Sequence, residues 1–183
     1  MSDNLSFLEN KYAAEVVPFM TKKYGIENVH LLPKIDKITI SMRLGKDSTD
    51  KKAVEHAMNE LMLISGQKPS YSKAKKSISG FKLREGQIIG TYVTLRKKKM
   101  YEFLERLIYI ALPRVRDFKG YKASSFDAAY NLTIGIKEHL VFRELSYDKI
   151  YKTRGMDISF ALKNVVSSEM GVDLLKMLDF PIK

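Results

Sequence analysis

The sequence predicts an α+β fold with two layers, an antiparallel-rich sheet of about five strands whose one face is packed by helices and whose other face is left free. Three observations lead there. Residues 35–43, 89–96, 130–137 and 156–162 alternate apolar and polar side chains with the period of a strand. Residues 5–23, 51–65, 97–112 and 167–178 instead repeat apolar side chains every three or four positions, the period of a helix. The two kinds of segment are interspersed without an internal repeat or a low-complexity linker. A length of 183 residues fits a single domain, 1–183, able to bury roughly 70% of the surface of its unfolded chain.

The first helical stretch carries Leu8, Tyr12, Val16, Phe19 and Met20 on one stripe, and Pro18 is expected to kink or interrupt it because proline lacks a donor and collides with the preceding turn. Tyr24-Gly25 closes it, and His30 to Pro33 reads as an extended linker. In the strand that follows, Ile38, Ile40 and Met42 share one side, and Lys37, Thr39, Ser41 and Arg43 the other. Lys46 to Asp50 is a polar loop, with Asp50 placed to cap a helix whose stripe is Val54, Ala57, Met58, Leu61 and Ile64 and which Ser65-Gly66 ends.

Residues 66–99 hold the most unusual composition in the chain. Lys68, Lys73, Lys75, Lys76, Lys82 and Arg84 occur with no carboxylate among them, so the segment carries its own positive field. Ser72, Ser77 and Ser79 add small hydroxyls, Gly80 permits close backbone approach, and Tyr71 and Phe81 are rings for stacking or anchoring. These are groups suited to phosphate and ribose. A solvated surface loop is the competing account for a basic run of this kind. The strand after it sets Val93 and Leu95 on one side and Tyr92, Thr94 and Arg96 on the other. An exposed face of an ordinary antiparallel sheet would look similar, but two separate strands that both put cations and hydroxyls on their polar side, undiluted by carboxylates, favour a polyanion.

The strongest helical stripe is Met100, Phe103, Leu104, Leu107, Ile108 and Ala111, ended by Pro113. Lys97, Lys98 and Lys99 stand at its N-terminal end, unfavourably for the helix dipole by a few tenths of a kcal/mol each, and a bound phosphate would offset that. Residues 113–122 form a second basic loop. Leu132, Ile134 and Ile136, and then Met156, Ile158, Phe160 and Leu162, give the inward sides of two more strands, while residues 138–154 have no clear period. Ser167 or Ser168 caps a last helix bearing Leu174, Leu175 and Leu178.

Thirty-two basic residues against 21 acidic give a net charge of +11, which makes a polyanion, and nucleic acid ahead of an anionic membrane, the expected partner. The absence of cysteine removes disulfides, thiolate metal sites and cysteine nucleophiles together. His30, His56 and His139 stand alone, without a second metal ligand at motif spacing, and read as structural. Phosphate-cradling glycine loops and nucleophile elbows are missing, and Glu102 and Glu105 beside Arg106 read as a solvated helix face. The expectation is a binding protein, with no enzyme activity, cofactor or metal, working in an internal aqueous compartment.

The wording KITISM, LISGQKPSYSKAKKSISGFKLREGQIIG, VTLRKKKMYEFLERLIYIALPRVRDFKG, SFD, IKEHLVF, YDKI and RGMDI, in this order, closely resembles the bacterial-type large-subunit ribosomal protein five family. The resemblance runs from about Lys34 to Met156, with looser similarity through the first and last helices and a family-like DFP at Asp179 to Pro181. It implies a structural constituent of the large ribosomal subunit in the cytoplasm, or in an organelle, that helps attach 5S ribosomal RNA in the central protuberance beside 23S-type RNA. Carried over by motif, the 5S-facing positions would be Lys37, Thr39, Ser41, Gln67, Thr94 and Arg96, joined by Arg43, Lys68 and Tyr92 from the polar strand faces and the basic run. A loop at about 72–86 would contact the P-site transfer RNA through Lys73, Lys75, Lys76, Ser77, Ser79, Phe81, Lys82 and Arg84. Small-subunit ribosomal protein thirteen would be met across an intersubunit bridge. An RNA-binding or chaperone protein outside the ribosome is the alternative. The chain departs from usual family wording at Ser41 and Arg43, at Ala128 to Tyr130 where two glycines and an arginine are lost, at Phe142-Arg143, and after Phe160.

Overall fold

Ile38, Ile40 and Met42 are fully buried while Thr39 and Ser41 between them stay partly accessible, so β1 (Lys34–Arg43) separates a core side from an open side as its alternation requires. The same division runs through β3 (Ile88–Leu95), β4 (Leu132–Ile136) and β5 (Met156–Lys163). With β2 (Ser70–Lys73) these make a five-stranded sheet ordered β2-β3-β1-β5-β4. The computed structural model describes residues 6–147 and 150–183, apart from the side chain of Lys46. Leu5 at the expected helix start and Asp148 and Lys149 of the YDKI motif lie outside the described residues.

Neighbouring strands are antiparallel. Ser70 faces Tyr92 and Ser72 faces Gly90 in the β2/β3 register. Thr39 meets Thr94 and Asp36 meets Arg96. Arg43 meets Asp157 at one end of the β1/β5 pair, while Asn164 bonds Leu32 at the other. Gly90 is required by sheet packing: a Cβ there would lie 2.6 Å from the Met42 carbonyl oxygen.

Contacts divide the chain into two compact units, Met1–Ile38 with Leu95–Ile134 and Ser159–Lys183, and Thr39–Thr94 with Gly135–Ile158. In the first, α1 (Phe7–Lys11) begins at Ser6, whose Oγ accepts the Glu9 N–H at 3.3 Å, and leads through a π-helical turn at Tyr12–Val16 into α2 (Val17–Tyr24). The interruption expected at Pro18 takes the form of this π turn, beyond which the α-helix resumes. Val17 N–H donates to the Tyr12 carbonyl five residues back, and this wider turn carries the backbone past the position where the proline ring would meet a carbonyl and where its N–H is missing. The second long helix repeats the device. Following α4 (Lys97–Arg106), Leu107–Ala111 is π-helical, Leu112 N–H reaches the Leu107 carbonyl, and Pro113 follows in a 3₁₀ turn.

Because a π turn spends an extra residue, the stripe beyond it rotates. Val16 and Met20 are buried, but Phe19 is exposed, against the expectation from simple 3.6-residue counting. The helices meet through edge and tilted ring pairs, Phe7 with Tyr109 and Tyr12 with Tyr101. Burial pushes the Tyr101 hydroxyl pKa up. α5 (Ser168–Met177), capped by the Ser167 Oγ accepting from Met170 N–H, is tied to α2 by ion pairs from Lys23 to Asp173 and Glu169. The expected extended linker before β1 contains a 3₁₀ turn at Val29–Leu31, closed by the Asn28 side chain.

In the second unit α3 (Lys51–Ser65) starts where Asp50 Oδ1 accepts the Lys52 N–H at 3.0 Å, and ends at Gly66 in the left-handed conformation. Its inner face also carries a carboxylate. Glu60, 4% exposed, lies 3.3 Å from His139 Nε2 and 4.0 Å from Arg154 Nη1. His139 Nδ1 lies 3.0 Å from the Arg154 carbonyl oxygen and 3.1 Å from its backbone nitrogen, which fixes the ring against that segment with Nε2 turned toward Glu60. Arg154 Nη2 reaches Asp47 at 3.3 Å, and Asp47 also accepts from Lys152 at 2.9 Å. The hydrogen bonds from Lys152 and then Arg154 hold the Asp47 carboxyl below its usual range. The 3₁₀ turn Gly45–Thr49 is thereby pinned to the segment before β5.

Candidate nucleic-acid interface

The open side of the second unit is built from alternate positions of its strands. β1 contributes Thr39, Ser41 and Arg43, and β3 contributes Tyr92 and Thr94. The register of β2 adds Ser70 and Ser72, which had no apolar alternation to announce them. Thr39 and Thr94 hydroxyls lie 3.5 Å apart, and Tyr92 is exposed. Gln67, just past α3, donates its Nε2 to the Thr94 carbonyl at 3.2 Å, so its amide braces the last turn of β3 while its oxygen stays available. Arg43 pairs with Asp157 at 3.4 Å yet keeps 85% of its side chain exposed. Such a surface pair contributes at most about 1 kcal/mol and yields readily to a phosphate. Lys68 is exposed beside Gln67.

Lys37 and Arg96 belong to the other unit. Lys37 is half-buried on β1, and Arg96 is the residue before α4 rather than the last of β3, paired with Asp36 at 2.8 Å. On the same unit's open side Thr133 donates to Ser159 at 3.1 Å. The sequence reading did not single out these two hydroxyls, although the alternation of β4 and β5 already turned them outward.

The basic segment is shorter than expected as a loop. Ser72 and Lys73 belong to β2, held by backbone pairing with the edge of β3, so the loop proper begins at Ala74. It is closed by Ala74 N–H to the Gln87 carbonyl at 2.8 Å and Gly86 N–H to the Ala74 carbonyl at 2.9 Å. At its tip Ile78 and Leu83 exchange backbone hydrogen bonds at 2.9 and 3.1 Å across a 3₁₀ turn at Ser79–Phe81. Lys82 takes a left-handed conformation, φ 51°, to close that turn. Ser77 is spent internally, its Oγ accepting the Glu85 N–H at 2.9 Å. Lys73, Lys75, Lys76, Lys82 and Arg84 are exposed, as is Ser79, and Phe81 is 81% exposed, the most of the large apolar side chains among the described residues. Among the described residues no group of three or more His, Asp or Glu is placed to hold a metal ion, and no helix is long and apolar enough to cross a membrane.

Residues 28–84 match the family model described as ribosomal protein L5, and residues 88–182 match that of the ribosomal L5P family C-terminus. The chain belongs to the ribosomal protein L5 family. It is 49% identical to the large ribosomal subunit protein uL5 of Caldanaerobacter subterraneus subsp. tengcongensis over 97% of this chain and 98% of that one. Identity to the same-named protein of Clostridium botulinum (strain Eklund 17B / Type B) is 49% over 95% and 97% of the two chains. For Colwellia psychrerythraea (strain 34H) it is 48% over 96% and 97%. The protein is therefore a bacterial-type, cytoplasmic constituent of the large ribosomal subunit, an rRNA-binding structural protein and not an enzyme. The resemblance read from the sequence and the expected α+β fold both hold.

Proposed function

We propose that the open sheet side holds 5S ribosomal RNA, that the loop from Ala74 to Gln87 contacts the P-site transfer RNA, and that the protein meets small-subunit ribosomal protein thirteen across the subunit interface. The observation that carries the reading is a division of chemistry within the second unit. Thr39, Ser41, Tyr92 and Thr94 form a hydroxyl and aromatic surface on paired strands, suited to ribose and base edges, with Arg43, Gln67 and Lys68 at its margin. The loop offers exposed cations without that ordered surface, suited to a phosphate backbone read without regard to sequence.

Neutralising Lys73, Lys75, Lys76 and Lys82 together, and replacing Thr39, Tyr92 and Thr94 with alanine in a second variant, separates the two roles. The loop variant remains with the large subunit in a sucrose gradient but weakens P-site transfer RNA occupancy, with a penalty that shrinks as salt rises. The sheet variant loses its chemical footprint on 5S RNA. Release of the loop variant from the large subunit would overturn this division.

A further inference from the structure

Between the loop tip and the 3₁₀ turn Gly45–Thr49 lies a cleft of about 790 Å³, walled by Phe81 and Leu83 on the loop, floored by Ile89 and Gln87, and faced by Ser48 and Thr49. A second, more open hollow of about 600 Å³ shares Ser48, Thr49, Lys82 and Gln87 with it and adds Arg84 and Glu85. The two differ in character. The first is lined mainly by apolar groups, with a few polar ones at its margin; the second presents an ammonium and a guanidinium against one carboxylate.

The geometry points to a nucleotide site: a single unstacked RNA base lodged against Phe81 in the apolar half, with its phosphate on Lys82 and Arg84 in the polar half. This rests on the reading of the loop as RNA-binding and names what that loop reads. A nucleotide is divided in the same way, a flat ring with polar edges joined to an anion, and single-stranded RNA is commonly held by stacking a splayed base on an aromatic ring beside a cationic rim. Phe81 has the exposure such a ring needs, and the Ile78–Leu83 backbone pair holds the tip that carries it. At the opposite wall, Gln87 Nε2 donates to Ser48 Oγ at 3.4 Å, and Gln87 Oε1 accepts the Arg84 N–H at 3.2 Å. These bonds hold the Gln87 amide in place beside the Ser48 and Thr49 hydroxyls, which are at hand for a base edge. The cations of Lys75 and Lys76 make the approach electropositive, which favours a nucleic acid over an apolar peptide as the occupant.

The test uses the full chain and a short single-stranded RNA carrying 2-aminopurine at its central position, alongside the same RNA with an abasic site there. The protein has no tryptophan, so the probe's emission is read without interference. For the wild type, binding quenches the probe, and the abasic RNA binds roughly fivefold or more weakly, the lower range for loss of one base–aromatic stack. Phe81→Leu, at a side chain too exposed to matter for folding, loses the quench and binds both RNAs alike. Lys82→Gln with Arg84→Gln weakens both RNAs and lowers the salt slope. If Phe81→Leu and the abasic site change neither quench nor affinity while the charge variant does, the loop holds phosphate alone. The base site is then wrong and the RNA-binding reading of the loop stands. If none of these changes alters binding, both fall.

Discussion

Removing the charge of Glu60 isolates a buried guanidinium. Arg154 is 6% exposed and has two carboxylates in reach, Glu60 at 4.0 Å and Asp47 at 3.3 Å, the second of them partly in solvent. Breaking a buried ion pair by deleting one partner typically costs 3–5 kcal/mol, because the remaining charge stays desolvated. Since Asp47 still compensates Arg154, Glu60→Gln should sit at the low end, about 3 kcal/mol. The amide keeps the shape of the side chain, so loss of packing contributes little. The assay is urea unfolding at neutral pH, read as a fall in midpoint at constant slope. A second variant, Glu60→Gln with Arg154→Met, removes the stranded charge and should recover most of the loss. A single-variant cost below about 1 kcal/mol, or no recovery in the double variant, would show that the pair is not the desolvated charge couple its burial implies.

Arg43→Gly should leave stability nearly unchanged, since its pair with Asp157 is solvent-exposed, yet reduce the salt dependence of 5S RNA binding by about one phosphate's worth of slope. An unaltered slope in filter binding would place Arg43 outside the interface. Tyr130 holds φ 61° in the turn where the Asp127 carboxylate accepts from the Ala129 and Asn131 N–H groups. Relief of that left-handed strain should let Tyr130→Gly match or exceed the wild type in thermal stability, and a clear loss would mean the ring supplies packing that outweighs it. The Asp179 carboxyl, despite the burial that raises it, is held below its usual range by Lys11 and Tyr109. Its stabilisation is present above the ordinary carboxylate pKa and lost as pH falls through the lowered one, so Asp179→Asn should flatten the acid limb of a stability–pH curve. Burial and the bond to Asp179 push Tyr109 up to about 12, so a second loss should appear as pH rises from about 10 toward that value.

The parts of this fold legible in the sequence are those decided by one strand or helix against water. Ile38, Ile40 and Met42 alternate because one side of β1 is buried, and the cations and hydroxyls between them face outward for the same reason, so the fold and much of the candidate interface were readable together. β2 was not, because Ser70 to Lys73 has no apolar side of its own and becomes a strand only by pairing with the edge of β3. The form that the interruption at Pro18 takes was not legible for a related reason. Local sterics disfavour an ordinary α turn at both prolines: at Pro113 the helix ends in a 3₁₀ turn as expected, while at Pro18 a helix anchored by buried residues on both sides passes through a π turn and resumes.

The same distinction decides which functional residues could be found. Thr39, Thr94 and the loop cations are exposed by local pattern. The cleft facing Phe81 is completed by Ser48 and Thr49, whose turn is fixed by Asp47 bonding to Lys152 and Arg154 more than a hundred residues later. A site wall set by that contact has no signature in sequence spacing. It also couples stability to recognition, because weakening the Glu60–Arg154–Asp47 chain would loosen one side of the nucleotide cleft while leaving the hydroxyl face of the sheet in place. The Glu60 variants should then lower affinity for the 2-aminopurine RNA while leaving the 5S footprint over Thr39 and Thr94 unchanged, and equal losses at both would mean that the cluster supports the unit as a whole rather than that wall.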